Sequence, residues 1–252
     1  MALYEKHNYL NKNIEYLINN EITEYDMKSA GFNIIKKFKL LDNNKIEHLE
    51  SLSKKRRQIT IGLYQKDDPA FKEVLNEKFV EMRKLFFEAN NLKDDEVLSI
   101  KKDAIVTLRK CFNTTFDNVE FVDKNVYTSY FYINKFEFYV NDKTLDLKGI
   151  DNEKLELHRA YMLDFLYKIF RLFETNSNKK YIIENLREFI SFYKDKMLHI
   201  GYYRELNRDS LYKLNREFLN DYIGLENTKT LDGIDISYNY MKYIVPIMNI
   251  LL

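Results

Sequence analysis

One cysteine in 252 residues excludes an internal disulfide framework and any multi-cysteine zinc site. A reducing cytoplasm is the expected compartment for Cys111. Only two prolines and six glycines interrupt the chain, which favours long unbroken elements, helices above all. Tryptophan is absent, so the aromatic content is all Tyr and Phe. An excess of one charge is missing too: 40 Lys and Arg face 39 Asp and Glu, so a polyanion site has to come from local clustering. Gly31 and Gly62 stand alone with no Gly-Lys-Ser/Thr after them, which excludes a phosphate-binding P-loop. His7, His48, His158 and His199 are scattered, without metal-ligand spacing, and read as surface or core histidines. The opening MALYEKHNYLNKN lacks an apolar core segment, so no secretory signal is expected. The apolar tail Tyr243 to Leu252 is too short to span a bilayer. It belongs to an expected helix over 236–252 that packs on the body of the protein or serves as a surface for a protein partner.

What remains is a folding composition. Apolar residues make up 45% and aromatics 15% of a chain long enough for one large domain or two small ones. Glu21 to Met27 reads as a strand and Ser29 to Lys39 as a helix. Asp42 and Ser53 are placed to cap two short helices, over Lys45 to Leu52 and from Lys54 onward. Asp68-Pro69 starts a longer helix carrying Phe71, Leu75, Phe79, Met82 and Phe86 to about Asn91. Two β-prone runs, Val97 to Ile100 and Asp103 to Val106, flank Lys101-Lys102 as a hairpin. Strands follow over Asn118 to Val122, Tyr127 to Ile133 and Phe136 to Val140, with turns at Asn134-Lys135 and Asn141-Asp142. After Gly149 the segments Lys154 to Glu174, Lys179 to Met197, Ser210 to Tyr222 and Ile236 to Asn249 all carry helical patterns. The expectation is an α+β fold: a small antiparallel sheet packed on helices over 1–152, then a helical region over 153–252.

Two acidic segments carry the chemistry. In Tyr25-Asp26-Met27-Lys28-Ser29 an acid ends a strand just before a helix, where it is presented as a metal ligand or where Asp26 or Ser29 serves as a helix cap. In Lys101-Lys102-Asp103-Ala104-Ile105 a second acid follows a hairpin turn, either as a ligand or as an ordinary surface ion pair.

Together they resemble motifs of the family-B DNA polymerases. Asp26, Ser29, Asn33 and Ile34 match a first motif, Asp-x-x-Ser-x-Tyr-Pro-Ser/Asn-Ile. The Lys101 to Ile105 run takes the place of a later Asp-Thr-Asp-Ser-Ile hairpin, keeping only its second acid. Asn134 to Tyr139 is similar to a Lys-Lys-x-Tyr segment that touches the primer terminus, and Leu145 to Ile150 to an Asp-x-Lys-Gly segment before the thumb. The resemblance covers about residues 20 to 170. It implies a palm-like sheet, a fingers insertion over about 40–66 and a thumb-like helical tail.

The same resemblance implies Asp26 and Asp103 as catalytic Mg2+ or Mn2+ ligands for transfer of a nucleotide to a 3′-hydroxyl. It implies nucleic acid and a nucleoside triphosphate as partners. Lys54, Lys55, Arg56 and Arg57 form the densest basic run, and Lys101, Lys102, Lys135 and Lys148 are the other candidate nucleotide or nucleic-acid contacts. Each has an alternative as a solvated surface charge. The pattern departs from the family at Gly31, where the sugar-discriminating Tyr would stand, and at Lys101, where an acid is lost. Two readings follow: a minimal nucleotidyltransferase, or an inactive polymerase-derived protein that binds nucleic acid or serves as a subunit of a replication or virion assembly. A third is an unrelated α+β protein with chance motif echoes.

Overall fold

The computed structural model describes residues 1–148, 159–175, 178–203 and 240–251. It is an α+β structure with an antiparallel sheet, as the composition and periodicities predict. Two compact units divide the chain: Met1–Ile14 with Glu21–Val126, and Glu15–Asn20 with Tyr127–Leu252. This division falls inside a long strand, whereas the expected boundary near residue 152 followed composition.

In the first unit β1 (Asn8–Leu10), β3 (Val97–Lys101), β4 (Ala104–Thr107), the later part of β2 (Tyr16–Met27) and the early part of β6 (Val119–Ile133) lie side by side in that order, with β5 (Thr115–Phe116) paired to β6. Four helices accompany them: α1 (Ala30–Phe38), α2 (Asn43–Ser51), α3 (Lys54–Asp67) and α4 (Pro69–Ala89). The caps read from sequence form at two of them. Asp42 accepts from Lys45 N, and Asp68 accepts from Phe71 N with Pro69 behind it; such a cap is worth about 1 kcal/mol. The α4 stripe Phe71, Leu75, Phe79, Met82 and Phe86 is buried, as its spacing requires. Phe86 packs at 5.2 Å from Tyr25 of β2 and 4.6 Å from Phe121 of β6, ring centre to ring centre. This core pins the end of β2 against the sheet.

β6 is longer than expected. The polar run Asp123-Lys124-Asn125 breaks the apolar alternation, so the sequence reads as two strands. Backbone pairing does not depend on that alternation, and Asn125 is held by a 2.9 Å hydrogen bond to the Glu24 carboxylate. β1 was not expected at all, because three residues are too few to show a period.

The second unit contains Tyr16–Asn20, the remainder of β6, β7 (Phe136–Val140) and β8 (Leu145–Lys148). Asn134 and Lys135 both take left-handed backbone angles (φ 51° and 67°), as a two-residue turn between paired Ile133 and Phe136 demands. The Asn141 side chain accepts from Lys143 N and Thr144 N, each at 2.9 Å, closing the next turn. Phe131, Phe138 and Leu147 of this sheet pack on α5 (Asp164–Thr175) and α6 (Lys179–Lys194), with Phe131 stacked on Phe170 at 4.0 Å.

The C-terminal helix α7 (Val245–Leu251) joins this core through Ile247 and Leu251, next to Tyr243 and Ile244. Of the two expectations for 236–252, packing on the body of the protein is the one seen here: Tyr243, Ile244, Ile247 and Leu251 are buried in their own unit, while Val245 and Ile250 are partly exposed. The expected helix over Ser210 to Tyr222 lies outside the described residues, as do 154–158 of the helix expected before it. No helix among the described residues is long and apolar enough to cross a membrane.

Candidate functional site

Asp26 is the next-to-last residue of β2 and pairs directly with Ala104 of β4. Asp103 precedes Ala104 in the two-residue turn Lys102-Asp103, which joins paired Lys101 and Ala104. Met27 N donates to Asp103 O at 3.0 Å, so the tip of the hairpin is tied to the end of β2. Two acids far apart in sequence thus stand near each other in one unit, Asp26 at the end of β2 and Asp103 in the turn that leads into its neighbour β4. Burial pushes the Asp26 carboxyl above the ordinary aspartate value, and the Asp103 charge pushes it further in the same direction. Glu24 adds to this, while Lys124 and Lys54 oppose it. Lys124 Nζ lies 3.9 Å from Asp26 Oδ2.

The helix-cap reading of this junction does not fit the geometry. Ser29 occupies the cap position of α1 in a left-handed conformation (φ 47°), and no side chain hydrogen-bonds the helix start. Lys28 N bonds Glu120 O at 2.9 Å and the Asn33 side chain bonds Lys28 O at 2.7 Å, which hold the loop that turns β2 into α1. The start of α1 (Ser29, Ala30, Gly31, Phe32) lines a cleft of about 160 Å3 with Lys54, Arg57, Gln58, Ile61 and Gln65 of α3 and with Asp103. An uncapped helix start and a lysine facing an acid make a place where an anion and a cation can both be held.

The candidate residues fare differently. Asp103 and Lys54 line the cleft, and the charges of both act on Asp26, which is not part of the lining. Arg57 lines it but spends its guanidinium on the end of α2, donating to Leu49 O at 2.8 Å and Leu52 O at 3.1 Å, with Phe32 stacked 4.3 Å below. Lys55 and Arg56 are exposed on the first turn of α3. Lys101 pairs with Asn8 and Ala104 in the sheet, and the Lys102 ammonium sits 5.0 Å over the Phe79 ring. Lys135 and Lys148 belong to the second unit: Lys135 is exposed in the β6–β7 turn, and Lys148 lies over the rings of Tyr127 and Tyr139.

Three residues of this neighbourhood escaped sequence reasoning. Glu24 and Lys124 act on Asp26 from β2 and β6, and nothing in their local pattern marks them. Arg83 of α4 is fully buried, donating from Nε to Tyr4 O at 2.8 Å and from Nη1 to Lys102 O at 2.5 Å. Burial brings its guanidinium down to about 10, against the pull of the Asp103 charge. Its signal was legible: Arg83 lies four residues after Phe79 and three before Phe86, on the helix's apolar stripe.

Among the described residues no group of three or more His, Cys, Asp or Glu side chains gathers as a metal site. The donor set is two carboxylates, which suits a cation held by one or two protein carboxylates and completed by substrate phosphates and water. Burial is the larger cause of the rise at Asp26, and the repulsion from Asp103 that adds to it is what a shared divalent cation would relieve.

Fold and site define an α+β protein with two neighbouring acids at the end of an antiparallel sheet, one of which lines a cleft. Its family is the one described as Bacteriophage PBS1 gene 130 protein: the match runs over residues 1–252, and the chain belongs to it. No curated protein matches the chain.

Proposed function

We propose that this protein is a metal-dependent nucleotidyltransferase that extends a nucleic-acid 3′ end, with a minimal palm similar to that of the family-B DNA polymerases. The adjacency of Asp26 and Asp103 across the β2–β4 pairing is the observation that carries the proposal. Mg2+ or Mn2+, when bound, neutralises the triphosphate and lowers the pKa of the attacking hydroxyl. Asp26 and Asp103 hold the cations. Lys54 and the uncapped start of α1 receive the triphosphate. Lys135 and Lys148 contribute charge toward nucleic acid.

Gly31 lines the cleft where the family's tyrosine would stand, and a Cβ there would begin 3.7 Å from Ile61. The cleft therefore has no aromatic ring at that position, and weak discrimination between ribo- and deoxynucleotides follows unless Phe32, which also lines the cleft, takes the tyrosine's place.

One observation favours the alternative of an inactive polymerase-derived protein that binds nucleic acid or serves in an assembly. Lys124 stands 3.9 Å from Asp26, where its ammonium already supplies a positive charge. A single-nucleotide extension assay with Mg2+ or Mn2+ separates the two. Incorporation by the native chain that is lost in Asp26→Ala and Asp103→Ala supports the enzyme. Incorporation that survives both substitutions rejects the acid pair, and none in the native chain favours the inactive protein.

A further inference from the structure

Asp103 stands in a turn that the chain does not make comfortably. Lys102, the first residue of that turn, has φ 49°, a left-handed conformation that an L residue adopts at a cost. No glycine is present to remove that cost, so something else has to hold the turn. The structure contains two such holds. Lys102 N donates to His7 O at 2.8 Å, and Lys102 O accepts from Arg83 Nη1 at 2.5 Å. Arg83 also grips the other hold, since its Nε donates to Tyr4 O of the N-terminal segment, whose Tyr4 ring packs 5.8 Å from Phe87. Both backbone polar groups of Lys102 are thus held, one by the Arg83 side chain and one by His7 of the N-terminal segment that Arg83 also grips through Tyr4.

Packing does not require an arginine here. A side chain with no exposed surface and neighbours such as Phe79, Phe86 and Phe87 could be Met or Leu, and a buried charge is expensive to keep. The Nη2 atom has no hydrogen-bond partner, and the neutral carbonyls of Tyr4 and Lys102 leave the positive charge uncancelled. Asp103, one residue beyond the carbonyl that Arg83 holds, is the carboxylate whose charge acts on it.

We propose that Arg83 is a positioning residue for the acid pair: by clamping the Lys102 carbonyl against the Tyr4–His7 segment it fixes the left-handed turn that presents Asp103 beside Asp26. The proposal rests on the reading of Asp26 and Asp103 as a divalent-cation site. Arg83 itself touches neither cation nor substrate; it sets the geometry of the residue that does. Supporting groups of this kind typically carry about 10–100-fold of a site's metal affinity.

The test is a Mn2+ titration of the full chain, with free Mn2+ read by electron paramagnetic resonance and folding checked by circular dichroism at the same temperature. The native chain, Asp103→Asn, Arg83→Met and the double variant Arg83→Met/Lys102→Gly are compared. The expected result is that the native chain binds, Asp103→Asn loses binding, and Arg83→Met binds at least about tenfold more weakly. Glycine takes the left-handed turn without help, so the double variant recovers most of that loss. A merely structural role for Arg83 would move the melting temperature without this pattern of metal affinity. Native-like Mn2+ binding by Arg83→Met, with Asp103→Asn still defective, overturns the positioning role and leaves the acid pair standing. A loss that Lys102→Gly does not recover also overturns it, because the defect then lies in charge or packing and not in the turn. A native chain that does not bind Mn2+, or an Asp103→Asn variant that binds as well as the native chain, overturns the acid-pair reading and this proposal with it. Should Arg83→Met fail to fold, Arg83→Leu takes its place under the same criteria, since leucine likewise has no donor for the Tyr4 and Lys102 carbonyls and fills the buried site with less volume.

Discussion

The left-handed turn at Lys102 makes a prediction whose sign is opposite to the usual one. At most positions alanine is more stable than glycine by about 0.4–1 kcal/mol, because glycine loses more backbone freedom on folding. At φ 49° an alanine keeps the steric cost of the left-handed region, about 1–2 kcal/mol, and glycine does not. Subtracting glycine's entropic cost of roughly 0.5–1 kcal/mol leaves Lys102→Gly more stable than Lys102→Ala by about 1 kcal/mol. Comparing these two variants cancels the loss of the Lys102 ammonium from the Phe79 ring, which both share. Urea unfolding measures the difference as a shift of midpoint at unchanged slope. Alanine equal to or more stable than glycine would refute the left-handed turn and, with it, the strain that Arg83 is held to maintain.

Three further outcomes are expected. Asp26→Asn stabilises the protein near neutral pH, because the folded-state carboxyl is raised above its unfolded value and its ionised form is penalised by burial and by Asp103. That gain shrinks as pH falls through the raised value and vanishes below the ordinary aspartate value, where both states are protonated; thermal melts across that range read it, and a gain that grew toward acid would contradict the sign. Arg57→Ala costs about 1–3 kcal/mol in urea unfolding, since it strips donors from the Leu49 and Leu52 carbonyls and the cation from the Phe32 ring; a neutral result would mean that Arg57 does not hold the end of α2. Phe131→Ala costs about 3–5 kcal/mol, because Phe131 is fully buried and stacks on Phe170 at 4.0 Å; a loss under 1 kcal/mol would show that this core collapses around the gap.

The legible parts of the molecule are those governed by neighbours in sequence. Asp68-Pro69 starts α4 because a capping carboxylate and a proline at the first turn act within three residues. The β3–β4 hairpin forms where two β-prone runs flank a polar pair, but its turn closes at Lys102-Asp103, one residue later than the expected Lys101-Lys102, because Lys101 still pairs with Ala104; Asn134-Lys135 turns β6 into β7 at the expected place. The burial of Phe71, Leu75, Phe79, Met82 and Phe86 follows from spacing alone. β6 carries the sequence signal of two strands because its middle satisfies its side chains through partners elsewhere, as Asn125 does with Glu24 across 101 residues.

The opening and closing segments of the chain were also decided by distant partners. β1 is a strand only because Asn8 to Leu10 find the edge of β3. The apolar tail, which by composition suits a partner's surface as well as its own core, is buried because the sheet around Phe131 and the helices α5 and α6 leave an apolar seat for Ile247 and Leu251.

By itself, then, the sequence determined the α+β class and most element boundaries in the first 148 residues. Each is a local matter of caps, periods and turn chemistry. Only the tertiary structure decided that Asp26 and Asp103 are neighbours, that Lys54 joins them while Arg57 is committed to α2, and that Lys124 already faces Asp26. The register between strands far apart in the chain fixes those proximities, and local periodicity does not encode it. The same holds for Arg83, whose place on an apolar stripe could be seen, but whose grip on the Asp103 turn exists only once α4, the N-terminal strand and the hairpin have met.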